Sequence, residues 1–254
     1  MAADEALLMN PSRHQVPTVR MYQWQPHCIS LGYHQSSEII DLDRCREDGI
    51  EVVRRPSGGR AVLHAEELTY TVVIPRQSPY FDDNKVRQYE RISQGLSIGL
   101  QMMGIPVEYI QRTTSRLPSP CSKHAPDCFS TLARHEIVLQ GKKLVGSAQR
   151  LVAGGLLQHG SILLGDEYLS LAKYLKPMSH GLPENADQQK KSINVEEFFG
   201  KKISFLMVVE SLRKGLEKVF SIGFKTVKLT IAEERLVDSL KKKAAIFSIG
   251  NPDS

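Results

Sequence analysis

The sequence predicts an α+β fold: one domain over residues 1–254, with mixed, largely antiparallel β-sheets packed against helices. Two observations carry this expectation. Strand-like runs come in consecutive groups, including a meander over 136–164, instead of alternating with helices as a doubly wound sheet requires. Amphipathic patterns over 85–103 and 205–220, and a lysine-rich helix over 231–244, supply helices to cover those strands.

The elements follow in order. Residues 4–9 read as the end of a helix with Ala6, Leu7 and Leu8 near its apolar side, and the strand expected before such a helix is missing. Residues 18–24 alternate as a strand, and 29–33 form another. Residues 41–48 are a short helix stopped by Gly49, which tolerates the left-handed conformation. Residues 51–55 and 60–74 are strands rich in Val, Thr and Tyr, bent apart at Pro56, Gly58 and Gly59. The 85–103 helix puts Tyr89, Ile92, Leu96, Leu100 and Met103 at helical spacing and ends at Gly104. Residues 112–127 carry Pro118, Pro120 and Pro126 without periodicity, a long loop of the kind that often has a function. Runs 136–140, 143–152 and 156–164 make the meander, turned at Gly141 and at Gly154-Gly155. Residues 176–193 are a polar loop, 225–229 a short strand, and 200–254 a mainly helical C-terminal part.

Composition narrows the class. The chain is 41% hydrophobic and 24% charged, as in ordinary globular proteins. A net charge of +5 favours acidic partners and is too mild to imply nucleic acid. No window approaches 18 uninterrupted apolar residues, and no basic segment opens a secretory signal. Four cysteines, at 28, 45, 121 and 128, make no disulfide framework. The expected setting is the cytoplasm, with free thiols and no membrane contact.

Two glycine-punctuated segments hold the chemistry. The first is Arg54-Arg55-Pro56-Ser57-Gly58-Gly59-Arg60-Ala61-Val62-Leu63-His64. The second is Lys143-Leu144-Val145-Gly146-Ser147-Ala148-Gln149, followed by His159-Gly160-Ser161. Glycine lets a backbone pass close to a ligand and expose its N–H groups. Arg55 with Ser57, Gly58 and Gly59 is read either as an anion or carbonyl binder or as a tight turn whose arginines face water. Neither a dinucleotide fingerprint nor a P-loop is present. Plain alternation puts Lys143 on the face of Val145 and Ser147 and away from Leu144, where its ammonium can polarise a thioester carbonyl or move a proton. Cys128 lies in the polar run Ala125-Pro126-Asp127-Cys128-Phe129, where a nearby cation would make it a thiolate nucleophile. Cys121, His124 and Cys128 fit no common zinc spacing, so no metal is expected. Cys28 and Cys45 read as packing residues. His64 either orients substrate or is a satisfied core histidine.

Across residues 2–240 this order of features resembles the lipoate/biotin protein ligase superfamily and its catalytic-domain fold. The resembling stretches are residues 1–8, 20–24 with 29–35, Arg55-x-Ser57-Gly58-Gly59-Arg60-Ala61-Val62-Leu63-His64, and Lys143-x-x-Gly146-Ser147-Ala148-Gln149 with His159-Gly160. Two features point to its cysteine-dependent octanoyltransferase branch. Arg60 and Ala65 stand where adenylating ligases tend to carry glycine and aspartate, and Cys128, Phe129 and Glu136 keep the cysteine-to-glutamate spacing of that branch. The resemblance implies that an octanoyl group moves from acyl carrier protein to a lysine of a lipoyl domain or of the glycine cleavage H protein, through a Cys128 acyl-enzyme. Lys143 would contact the acyl carbonyl, and Arg55, Ser57, Gly58, Gly59, His64, Gly146, Ser147, Ala148, His159 and Gly160 would bind substrate. No cofactor is implied, and ATP enters only in the alternative of a lipoate-protein ligase. An amidotransferase working between carrier proteins and a non-catalytic carrier-binding homologue are further alternatives. Loss of the Lys143 charge is expected to slow transfer and to leave stability nearly unchanged.

Overall fold

The computed structural model describes residues 1–9, 15–111, 135–176 and 191–247. The chain opens with α1 (Ala2–Met9), β1 (Thr18–Tyr22), β2 (Cys28–Leu31), α2 (Leu42–Glu47), β3 (Glu51–Arg54), β4 (Val62–His64) and β5 (Glu67–Pro75). Next come α3 (Lys85–Met102), β6 (Glu108–Gln111), β7 (His135–Leu139), β8 (Lys142–Val152), β9 (Gly155–Leu163) and a 3-10 helix over Glu167–Tyr174. It closes with α4 (Val195–Phe199), α5 (Phe205–Phe220), α6 (Ile231–Ala244) and β10 (Ala245–Phe247). The larger sheet has the order β1-β5-β9-β8-β7-β6, and each neighbouring pair is antiparallel. The smaller has the order β10-β3-β2-β4, where β2 and β3 run parallel and the other pairs antiparallel. The expected α+β class, largely antiparallel, is what forms.

Alternation decides which side each strand buries. On β5, Leu68, Tyr70, Val72 and Ile74 share one side, and there they join Ile92, Leu96 and Leu100 of α3 and Leu212 and Leu216 of α5 in one core. Those two helices approach closely at glycines: a Cβ on Gly215 would stand 2.2 Å from the Gly95 carbonyl oxygen. On the smaller sheet Ile29, Leu31, Val52 and Leu63 form a second core with Cys45, Leu171 and Tyr174. The opposite sides of the two sheets carry small and polar residues, among them Thr69, His159 and Ser161 on one and Ser30 and His64 on the other, and these enclose a cavity. Each fully buried leucine contributes about 1.5–3 kcal/mol of transfer free energy. Two apolar cores on the outer sides of the sheets thus sustain a polar layer between them.

Local signals set the helix ends. The Asp41 side chain accepts from the Arg44 backbone N–H, and Gly49 takes φ 69° after α2. α6 starts with a capping box between Thr230 and Glu233 and ends on Lys241, Lys242 and Lys243, which complement the helix dipole.

Several expectations need correction. Residues 60–74 are not one strand. The chain bends at Ala65 and Glu66, where Glu66 adopts φ 47°, so β4 belongs to the smaller sheet and β5 to the larger. Residues 225–229 form no strand. β6, β10, α4 and the 3-10 helix over Glu167–Tyr174 went unread because each is short and weakly periodic. The 112–127 loop and most of the 176–193 loop lie outside the described residues.

One irregularity positions a site residue. Ile137 pairs with Val145 and Val138 with Lys143, so Leu144 is an extra residue on β8. The bulge turns both Leu144 and Val145 into the helix-side core. Lys143 then shares a face with Gly146 and Ala148, not with Val145 and Ser147. The face read from plain alternation is corrected by this one inserted residue.

Candidate active site

The cavity between the sheets gathers Arg55, His64, Gly146, Ser147, Ala148, His159 and Gly160 from the two glycine segments, with Ser30, Thr69, Ser161, Val62 and Met1 completing its wall. β8 and β9 pair so that Gly146 lies opposite Ser161 and Ala148 opposite His159. β9 and β5 pair Ser161 with Thr69 and Gly160 with Tyr70. Small residues are required here. A Cβ on Gly160 would fall 2.1 Å from the Gly146 carbonyl oxygen and 2.8 Å from the Tyr70 ring. Tyr70 uses that room to donate its hydroxyl to Ser147 Oγ at 2.6 Å.

Arg55 is buried, and its guanidinium donates to the Ser30 carbonyl (2.8 Å), Ser30 Oγ (3.1 Å), the Gly58 carbonyl and the Arg60 carbonyl (2.6 Å). It therefore locks the glycine turn against β2. This corrects the reading in which the arginine faces water, and its donors go to protein oxygens, three backbone carbonyls among them, and are not held out to a phosphate. Gly58 and Gly59 stand behind the wall, clasped by Arg55. A Cβ on Gly59, whose φ is 101°, would meet Arg55 Nη2 at 2.7 Å. Ser57 reaches the cavity through His159, whose Nε2 it contacts. His159 Nδ1 has no hydrogen-bond partner among the described residues. Burial first, then Arg55, pushes the His159 pKa down to about 3 against an opposing pull from Asp4, so the ring is neutral.

His64 is held from four sides. Its Nε2 lies 2.7 Å from Ser30 Oγ, its Nδ1 lies 3.1 Å from Glu67 Oε1 and 3.4 Å from Ser161 Oγ, and Trp24 stacks on the ring at 4.7 Å. Glu67 also accepts from the Thr69 hydroxyl.

Lys143 Nζ lies 2.8 Å from Glu136 Oε1, with both side chains 4% exposed. The bulge at Leu144 brings the two onto one face. Ile193 N–H donates to the Lys143 carbonyl, so the chain beyond 190 packs against this end of β8. Lys142, on the other side, reaches Glu197 at 3.3 Å and is one-third exposed. Cys128 lies outside the described residues, as do Cys121 and His124. Cys28 and Cys45 are buried free thiols. Burial raises the Cys28 pKa strongly and, with Asp41 and Asp48, raises that of Cys45 to about 11, so neither is a thiolate at neutral pH. Among the described residues no group of three or more His, Cys, Asp or Glu could hold a metal ion. No described helix is long and apolar enough to cross a membrane.

Sequence reading missed Ser30, Glu67 and Asp4. Ser30 shows as a polar residue inside an apolar run, a signal of a buried partner that does not say which partner, whereas Glu67 beside Glu66 and Asp4 beside Glu5 carry no such signal. Asp4 is fully buried, is met by Arg20 and accepts from the Tyr22 hydroxyl at 3.0 Å.

Known proteins supply the context for this geometry. The family model described as the lipoyl protein ligase A/B catalytic domain matches residues 1–217. The octanoyltransferase LipM of Clostridioides difficile (strain 630) is 39% identical over 247 residues, covering 96% of this chain and 90% of that protein. The octanoyltransferase LipM of Staphylococcus aureus (strain NCTC 8325 / PS 47) is 34% identical over 249 residues, covering 96% and 90%. A crystal structure of lipoate-protein ligase A bound with ATP superimposes with a TM-score of 0.75 at 24% identity, over 95% of this chain and 88% of that one. A bipartite lipoate protein ligase from Thermoplasma acidophilum gives 0.74 at 22%, over 95% and 86%. At these identities the structural likenesses speak for the fold.

Proposed function

The chain belongs to the lipoyl protein ligase A/B catalytic domain family and is an octanoyltransferase of protein lipoylation, and from that premise we propose that it works through a Cys128 acyl-enzyme with Lys143 beside the reacting carbonyl. The observation that supports this best is the meeting of both glycine segments in one cavity, with Lys143, paired to Glu136 of β7, on the face of β8 that carries Gly146 and Ala148. The relatives bearing the octanoyltransferase name span nearly the whole chain.

In this reading the donor is octanoyl-acyl carrier protein. The Cys128 thiolate attacks the thioester carbon, the carrier's thiol leaves, and the octanoyl chain lies between the sheets. A lysine amine of a lipoyl domain or of the glycine cleavage H protein then attacks the enzyme thioester. An amide forms, the Cys128 thiolate leaves, and the amine gives up a proton. Lys143, its charge sustained by Glu136, stabilises the oxyanion of both steps. Neutral His159, with Ser57 bonded to it, lets an apolar chain pass without stranding a charge. A thioester going to an amide releases free energy, so no ATP and no metal is needed. The cytoplasm is the place of work proposed for it. The alternative of an ATP-using ligase loses the phosphate-binding role first given to Arg55, whose donors hold carbonyl oxygens.

Intact-mass measurement after mixing with octanoyl-acyl carrier protein tests this. An octanoyl adduct is expected without nucleotide on the parent, on Cys28→Ala and on Cys45→Ala, and none on Cys128→Ala. Loss of the adduct in Cys121→Ala alone moves the nucleophile. Strict dependence on ATP with free lipoate overturns the transferase chemistry.

A further inference from the structure

Ser30 sits in a strand whose neighbours Ile29 and Leu31 are core residues, yet its hydroxyl turns to the cavity side. The direction of each proton around it follows from Glu67. A carboxylate only accepts, so the imidazole hydrogen sits on Nδ1, 3.1 Å from Glu67 Oε1. Nε2 is then the acceptor nitrogen, and the Ser30 hydroxyl 2.7 Å away donates to it. The Arg55 guanidinium, which only donates, meets a remaining lone pair of Ser30 Oγ from Nη1 at 3.1 Å. Ser30, His64 and Glu67 are each at most 4% exposed, and Trp24 stacked on the imidazole fixes its plane. A hydroxyl donating to an imidazole that is oriented by a buried carboxylate is the arrangement that activates serine in unrelated hydrolases, recognised by geometry and not by fold.

We propose that Ser30 is a second nucleophile, activated by His64 and Glu67, that accepts a medium-chain acyl group from an ester or thioester in this cavity and passes it to water. Only the choice of acyl ligand rests on the octanoyl reading of the cavity. Ser30 Oγ bonds to the acyl carbon as its proton moves to His64 Nε2. The C–S or C–O bond of the donor breaks, and the leaving thiol or alcohol takes that proton. Water then adds to the seryl ester, again through His64, and its C–O bond breaks to return Ser30 and release the fatty acid. Arg55, already on Ser30 Oγ, favours the developing alkoxide. Glu67 stabilises the imidazolium.

The test uses the Cys121→Ala/Cys128→Ala protein, so that neither of these thiols contributes. It is treated with a fluorophosphonate carrying an eight-carbon chain, then digested and mapped by mass. The expected result is one phosphonyl group on the peptide containing Ser30, together with slow hydrolysis of p-nitrophenyl octanoate. Glu67→Gln should cut both by about a thousandfold or more, as loss of the orienting carboxylate does in serine hydrolases. Ser30→Ala should abolish both. The mapping does not depend on that variant's folding. No label on Ser30, or a label elsewhere, overturns the proposal. If Cys128 of the parent still takes octanoyl from the carrier while Ser30 stays unlabelled, only the second nucleophile falls. If neither residue is acylated, the acyl reading of the cavity falls with it.

Discussion

The Lys143 ammonium and the Glu136 carboxylate are 2.8 Å apart and almost wholly out of water. Sequence reading placed this lysine at a pocket edge, where its loss would cost little stability. Burial reverses that. Lys143→Met strands a carboxylate inside the protein, and breaking such a pair costs about 3–5 kcal/mol. Octanoyl transfer should also fall by about two to three orders of magnitude, the usual cost of losing an oxyanion donor. The two effects separate in Glu136→Gln/Lys143→Met, which removes both charges. Thermal unfolding should recover most of the lost stability in that double variant, while transfer to a lipoyl domain stays low. Recovery of activity with stability would remove Lys143 from the chemistry. Lys142→Met, losing only a partly exposed pair with Glu197, should behave as the parent in both assays. At this scale the sequence marks candidate residues by type and neighbourhood and not whom they touch. Lys143, His64 and Ser57 stand out by type and neighbourhood, whereas Ser30 meets His64 across 34 residues and Ser57 meets His159 across 102. Pairing at that range is a property of the sheets.

Among elements, long periodic segments were legible and short or irregular ones were not. Residues 205–220 form the helix their spacing predicts, because an apolar stripe repeated over several turns leaves little choice of face. The 60–74 run misled because no glycine or proline breaks it, although Ala65 and Glu66 bend the chain from one sheet to the other. The Leu144 bulge was invisible because an inserted residue leaves no trace in composition. The glycines of β8 and β9 were read as letting backbone pass close to a ligand, whereas the room at Gly160 is taken by the Gly146 carbonyl and the Tyr70 ring. Gly160→Ala must displace the Gly146 carbonyl or the Tyr70 ring. A loss of about 1–3 kcal/mol, typical of overpacking, is expected in denaturant unfolding, with the Tyr70–Ser147 hydrogen bond weakened. Acyl-enzyme formation should fall in parallel. A Gly160→Ala protein with parental stability and rate would mean that β8 and β9 can separate freely.

For the whole molecule, acid sensitivity follows from two groups near the cavity. His159 has a folded pKa of about 3 against an ordinary 6.5, so below pH 6.5 the unfolded chain binds a proton that the folded one refuses. Stability should therefore decline steadily as pH falls from 6.5 toward 3. Asp4 acts in a lower window. Burial raises its pKa, but the Met1 amino group and Arg20 outweigh that and hold it below 3.8. Its contribution is complete above that value and is lost as pH falls through the folded pKa. Unfolding midpoints measured from pH 7 to 3 should flatten in His159→Gln. Asp4→Asn should lie well below the parent at neutral pH and begin to approach it only below pH 3.8. Parallel curves for all three would assign the acid limb elsewhere. The bend at Ala65 and Glu66 has a further consequence, in how the two sheets depend on each other. Strands β4 and β5 are tethered by two residues, yet each pairs inside a different sheet. His64 meets Ser30 within the smaller sheet, and the same ring meets Ser161 of the larger sheet at 3.4 Å. The bend makes one imidazole a joint shared by both sheets, so neither sheet can shift without disturbing that ring.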